Sequence, residues 1–116
     1  MPEITMIDKP VSRADLKKIA EQRFGDLVKA VVDLDKEIMA VGGELHADEE
    51  VFLLDKESKQ TDLWGINIYP DLTMPNMLEF DSMINLRPSQ NNRSRGVDDK
   101  DTREKIVVLV NKLVIQ

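Results

Sequence analysis

Residues 83–97 read MINLRPSQNNRSRGV and contain three arginines and no acidic residue, although the chain has a formal net charge of -6. A guanidinium group stays charged and presents a planar fork of donors that fits phosphate and carboxylate oxygens. We therefore predict that this stretch, called here the arginine loop (83–97), binds an anion. The predicted ligand-binding residues are Arg87, Gln90, Asn91, Asn92, Arg93 and Arg95, with Asn67 and Asn85 extending the site across the sheet.

The same arginines also have a structural interpretation. They can pair with the acidic start of the last helix, at Asp98, Asp99 and Asp101. Because exposed ion pairs contribute little stability, the loop would then be a solvated connection with no ligand. Guanidinium groups that converge on one pocket would favour a binding site, and groups that are scattered or neutralised by carboxylates would not.

A second group of candidate residues surrounds the only histidine. Residues 42–50 read GGELHADEE, and in an extended backbone Glu44, His46 and Asp48 alternate onto one side. An imidazole with two carboxylates can hold a divalent metal ion or act as a general base, so these three are the candidate catalytic residues. The segment lacks the HExxH spacing, and the structural alternative is that Asp48 caps a helix while His46 bonds a turn carbonyl.

Three functions are compatible with these residues. The first is a module that binds a nucleotide, a phosphorylated metabolite or a short RNA segment through the arginine loop. The second is a small hydrolase or phosphotransfer enzyme in which His46 is a base or metal ligand and the arginines stabilise developing negative charge. The third is a homodimeric structural or adaptor protein. The sequence identifies neither the ligand nor a metal or cofactor.

Composition excludes several classes of protein. The absence of cysteine excludes disulfides, a thiolate nucleophile and iron–sulfur ligation. The acidic net charge disfavours general binding to duplex DNA, which needs a broad basic face. No segment approaches the roughly 18 apolar residues of a membrane span or the pattern of a signal peptide, so we expect a cytoplasmic protein without a membrane partner. We also expect one domain over residues 1–116.

The hydrophobic pattern predicts an α+β fold. We expect a mostly antiparallel sheet of four to five strands, with two hairpins, packed against two to three helices in the order β-α-β-β-α-β-β-α. Residues 3–7 alternate as an edge strand does. Ser12 and Asp48 are suitable N-caps for two helices, and the acidic stretch 98–101 is typical of the start of a third.

Residues 26–43 fit both a helix and a hairpin. Leu27, Val31, Leu34 and Ile38 lie at helical spacing, whereas consecutive β-branched residues such as Val31 and Val32 favour strands. We prefer a hairpin of residues 28–32 and 38–41 and keep the helix as the alternative.

Residues 64–69 and 80–87 predict a second hairpin because apolar and polar side chains alternate in both. On this interpretation Trp64 and Leu86 face the core. The opposite face then carries Asn67, Asp81, Asn85 and Arg87 and leads into the arginine loop.

Three segments carry a family resemblance: GGELHAD at 42–48, LWGINIYP at 63–70 and INLRPSQNNRSR at 84–95. In this order they resemble a family of small bacterial proteins of unknown function, and the similarity extends over nearly the whole chain. The resemblance implies a bacterial origin. It implies no reaction and no catalytic residue.

Overall fold

The computed structural model describes residues 3–116 and has the predicted α+β class. The strands are β1 (Thr5–Ile7), β2 (Val11–Ser12), β3 (Val28–Asp33), β4 (Ile38–Val41), β5 (Leu63–Ile68), β6 (Leu78–Glu79) and β7 (Val114–Ile115). The helices are α1 (Arg13–Glu21), α2 (His46–Leu54) and α3 (Lys100–Leu113), with 3-10 turns at Gln60–Asp62, Met83–Asn85 and Pro88–Gln90. Five strands form an antiparallel sheet in the order β1-β4-β3-β5-β6, while β2 and β7 form a small parallel pair.

Helices cover both faces of the main sheet. Residues of α1 and α3, such as Leu16 and Ile106, pack with Ala30 and Ile66 on one face. Leu53 of α2 belongs to the apolar cluster on the other face. Because the central strands β3 and β5 are covered on both sides, nearly all of their residues are buried. None of the described helices has the length and apolar character needed to cross a membrane.

The preferred hairpin at residues 28–41 is confirmed. Strands β3 and β4 pair from Ala30 opposite Val41 to Asp33 opposite Ile38. The Asp33 carboxylate accepts hydrogen bonds from the backbone N–H groups of Asp35 and Lys36, both at 2.9 Å, and so stabilises the turn. The helical spacing in this segment arises because apolar residues are needed on both faces of β3.

Two of the three predicted helix starts are confirmed. Ser12 caps α1 by accepting from the Asp15 N–H, and Asp99 caps α3 by accepting from the Thr102 N–H. The prediction that Asp48 caps α2 is wrong. The N-cap is Leu45, no side chain caps the helix, and Asp48 lies within the first turn, where an acidic side chain still interacts favourably with the helix dipole.

The predicted strand at residues 80–87 is wrong. Only Leu78 and Glu79 pair with β5, and residues 83–85 form a 3-10 turn that leaves Leu86 43% exposed rather than in the core. The Asn85 side chain bonds to the edge of β5 where the strand was predicted.

Asn85 bonds to β5 in the manner of a neighbouring strand. Its Oδ1 accepts from the Gly65 N–H at 2.8 Å, and its Nδ2 donates to the Gly65 carbonyl at 2.9 Å and to the Arg95 carbonyl at 3.0 Å. A Cβ atom at Gly65 would lie 2.5 Å from the Ser82 hydroxyl oxygen, so only glycine allows this approach. The carboxamide thus supplies both halves of a backbone pairing.

Candidate functional site

The predicted anion-binding side chains do not converge on one pocket. The Arg87 side chain donates to the carbonyls of Gln60 and Leu63 and to the side chain of Gln90. Its guanidinium also lies over the Trp64 ring, 4.3 Å from the centroid. Because Arg87 and Asn85 are both buried, these two residues hold the arginine loop against β5 and are closed to a ligand.

Asn92 has a similar structural role. Its Nδ2 lies within hydrogen-bond distance of the carbonyl oxygens of Asn85, Ser94 and Gly96, and its Oδ1 accepts from the Asp98 N–H. This side chain is therefore fully engaged in shaping the loop.

A large cleft of about 740 Å³ lies beside the arginine loop but carries the wrong charge for an anion. Gln90, Asn91 and Asn92 line it, together with the carboxylates of Asp35, Asp62, Asp98 and Asp99 and one lysine, Lys105. The Ser94 hydroxyl and the Arg93 N–H bond to Asp98 and lower the pKa of its carboxyl. Excess negative charge here disfavours phosphate or carboxylate ligands.

A second cleft, of about 430 Å³, brings together residues from both predicted sites. We call it the histidine cleft and define it by its polar lining: Lys29, His46, Asn67, Asp81, Ser82 and Arg95. His46 of the GGELHAD segment and Arg95 of the arginine loop thus line the same cleft. Arg93 is exposed and lines neither cleft.

Three elements position the polar groups of the histidine cleft. Lys29 of β3 is the register partner of Asn67 in β5, so both side chains lie side by side on the α2 face of the sheet. His46 and Ala47 are the first residues of α2 and also line the cleft. These residues place the positive end of the α2 dipole at the cleft, and no side chain of residues 3–116 caps the helix.

His46 is only 8% exposed, and its Nε2 lies 2.8 Å from the Ile66 carbonyl oxygen. A carbonyl oxygen only accepts, so Nε2 carries a hydrogen. Burial lowers the pKa of His46 below its ordinary value of 6.5, and Lys29 acts in the same direction, while Ile66, Asn67 and Asp81 oppose them. The ring is therefore neutral at pH 7, with Nδ1 unprotonated.

Asn67 is also 8% exposed, and its orientation is set by a hydrogen bond from Nδ2 to the Glu79 carboxylate at 2.8 Å. Its Oδ1 is buried and accepts no hydrogen bond from residues 3–116. A buried acceptor without a donor costs about 1–3 kcal/mol. In this conformation the acceptor therefore lacks the donor that a buried carbonyl oxygen requires.

Arg95 reaches the cleft from the arginine loop. Its Nε lies 2.7 Å from the Asp81 carboxylate, and both side chains are about half exposed. The ion pair uses one edge of the guanidinium, so it orients Arg95 while leaving the terminal nitrogens available. With Lys29, the cleft has more positive than negative side chains.

The predicted catalytic set of Glu44, His46 and Asp48 is not assembled. Glu44 is exposed and lies 3.9 Å from Arg23, and Asp48 is exposed on α2. Alternation onto one side required an extended backbone, but the chain turns into a helix at His46. Among the residues that the structure describes, no three histidine, aspartate or glutamate side chains are grouped to hold a metal ion.

Sequence reasoning missed Lys29, Asp81 and Ser82 as cleft residues. Lys29 had a usable signal, since it is the only charged residue in a run of buried strand residues, VKAVV. Asp81 was predicted to share a face with Asn67 but was not counted as a site residue. Ser82 had no signal, because it reaches the cleft only after the chain leaves β6.

A buried carboxyl group lies on the same helix as His46. Glu49 of α2 is fully buried, and its Oε2 accepts from the Gly43 N–H at 2.9 Å. Burial raises the pKa of Glu49 to about 9, so it is protonated at neutral pH. A Cβ atom at Gly43 would lie 2.8 Å from Glu49 Cγ, which shows how closely the GG turn packs on this carboxyl.

Comparison with known proteins identifies a family. No curated protein and no solved structure matches the chain. A family model described as a protein of unknown function, DUF5674, matches residues 5–113, which includes all three segments that carried the resemblance. The chain therefore belongs to the DUF5674 family.

Proposed function

We propose that this protein binds a small oxyanion, a phosphate or carboxylate carried by a metabolite, in the histidine cleft. The observation that carries the proposal is the convergence of Lys29, Arg95 and the uncapped N-terminus of α2 on one cleft of an acidic protein. Helix N-termini and guanidinium groups both bind such anions.

Two buried polar side chains lie beside the charged groups of the cleft. His46 and Asn67 are both more than nine-tenths buried and face the cleft, and the Asn67 oxygen has no donor among residues 3–116. Because a carbonyl oxygen only accepts, this atom requires a hydrogen-bond donor, which the oxyanion itself does not supply.

The size of the cleft favours a metabolite over RNA. A volume of about 430 Å³ lies within the roughly 300–1,000 Å³ typical of small-molecule sites. The larger cleft that a nucleic-acid strand would need is the acidic one. A hydrolase or phosphotransfer activity is the weaker candidate, because Glu44 and Asp48 lie outside the cleft and the His46 ring bonds the Ile66 carbonyl rather than a carboxylate.

Two arginines of the same loop make a matched test. Arg95→Gln should weaken binding of sulfate and of inorganic phosphate about tenfold, since a charged hydrogen bond of about 1.4 kcal/mol or more is lost. Arg93→Gln removes the same charge from the loop but not from the cleft, and should change the affinity less than twofold. Isothermal titration calorimetry of the wild type and both variants measures this.

Arg95→Gln should fold normally because its ion pair with Asp81 is half exposed and such pairs contribute little. The loop contacts at this position use the backbone carbonyl, which the substitution keeps. Equal losses in both variants would mean a non-specific charge effect. Failure of the wild type to bind either anion at millimolar concentration would overturn the proposed function.

A further inference from the structure

We propose that His46 takes up a proton when an oxyanion enters the histidine cleft, so that binding strengthens as the pH falls. This inference rests on the proposed function and adds its regulation: the protein binds the anion and the proton together.

The hydrogen bonds of His46 carry the argument. Nε2 already donates to the Ile66 carbonyl, so Nδ1 is the ring nitrogen left to donate to Asn67, which lines the same cleft and favours the protonated ring. The neutral ring has no hydrogen at Nδ1, and Asn67 Oδ1 stays unsatisfied. In the imidazolium form both nitrogens donate, one to Ile66 and one to Asn67.

The charged groups around His46 explain why the free cleft resists protonation. Lys29 faces the ring from β3, and Asp81 and Arg95 approach from the segments after β6. Glu49 on the same helix is protonated, and β4, β5 and residues 83–85 contribute no charged side chain. Burial and Lys29 therefore oppose the imidazolium, and an oxyanion beside Lys29 would reverse the sign of the local potential.

The single histidine makes the proposal directly measurable. The imidazole proton resonances of the wild-type protein can be followed by NMR from pH 5 to 8 in sodium chloride and in sodium sulfate of equal ionic strength. Sulfate is a suitable probe because it stays a dianion over this range. We expect the pKa of His46 to lie below 6.5 in chloride and to rise by about one pH unit in sulfate, which by linkage means about tenfold tighter sulfate binding to the protonated protein.

Two variants locate the effect. His46→Gln can still donate to Ile66 but cannot take up a proton, so its sulfate affinity should not change with pH. Asn67→Leu removes the acceptor, so the sulfate-induced rise in the pKa of His46 should shrink by at least half. The NMR spectrum of this variant should remain that of a folded protein.

The possible failures are distinguishable. If sulfate binds to the wild type and the pKa of His46 does not change, proton uptake is wrong and the proposed function stands. If the His46→Gln variant folds and retains the pH dependence of the wild type, another group takes up the proton and the inference is equally wrong. If sulfate does not bind at any pH, the proposed function itself fails.

Discussion

Asn85→Ala should destabilise the protein by about 3 kcal/mol or more, since it leaves the Gly65 N–H and the Gly65 carbonyl without their partner and removes one of the two donors to the Arg95 carbonyl. Asn85 is fully buried, so water cannot easily replace the carboxamide. Urea unfolding followed by circular dichroism at pH 7 measures the loss.

Asn76→Ala is the matched control for this prediction. Asn76 is exposed, and its truncation should change the stability by less than about 0.5 kcal/mol. The isosteric variant Asn85→Asp tests the donors alone, because it keeps the acceptor for Gly65 but turns a second oxygen toward two carbonyls. It should be at least as destabilising as alanine at pH 7. Near-wild-type stability of Asn85→Asp would show that Asn85 does not act as a strand substitute.

Glu49→Gln should stabilise the protein at neutral and alkaline pH. Folding holds Glu49 protonated, with a pKa of about 9 against an ordinary 4.5. Between these values the unfolded chain binds fewer protons than the folded chain, so stability falls as the pH rises. Glutamine is neutral and has the same shape, so it avoids the cost of protonating Glu49. It should raise the free energy of unfolding by roughly 3 kcal/mol at pH 7 and by less at pH 5.

The measurement is urea unfolding of the wild type and the variant at several pH values from 4.5 to 8.5. The diagnostic result is a difference in the free energy of unfolding between variant and wild type that widens with pH. A difference that stays constant with pH would come from packing alone. Glu21→Gln, an exposed carboxyl on α1, should track the wild type throughout. If Glu49 ionises near its ordinary pKa, the stability difference between Glu49→Gln and the wild type will not depend on pH. That result would contradict the raised pKa of Glu49.

Local patterns predicted those parts of the fold that depend on neighbouring residues. The caps at Ser12 and Asp99 and the hairpin at residues 28–41 follow from side chains close in sequence. The stretch 80–87 misled because its polar residues alternate as in a strand, yet Asn85 uses its side chain to satisfy the backbone of β5. An alternating pattern does not show whether the backbone or a side chain of this stretch makes the hydrogen bonds to β5.

The site was only partly predictable for a related physical reason. His46, Asn67 and Arg95 were recognised by their chemistry, but the crossing of α2 over β3 and β5 brings them together, and no local pattern specifies that crossing. Arg87 shows the opposite error. Its charge indicated a ligand, whereas three acceptors and the Trp64 ring already engage it inside the protein.

The stacking of Arg87 on Trp64 also has an optical consequence. Trp64 is the sole tryptophan and is 7% exposed beneath the guanidinium, so its fluorescence comes from the seam between the sheet and the arginine loop. Detachment of that loop would hydrate the indole while the helices remain intact. Tryptophan emission therefore reports detachment of the arginine loop, whereas helicity reports unfolding of the helices. Loosening of the loop before global unfolding is visible in the fluorescence without a chemical label.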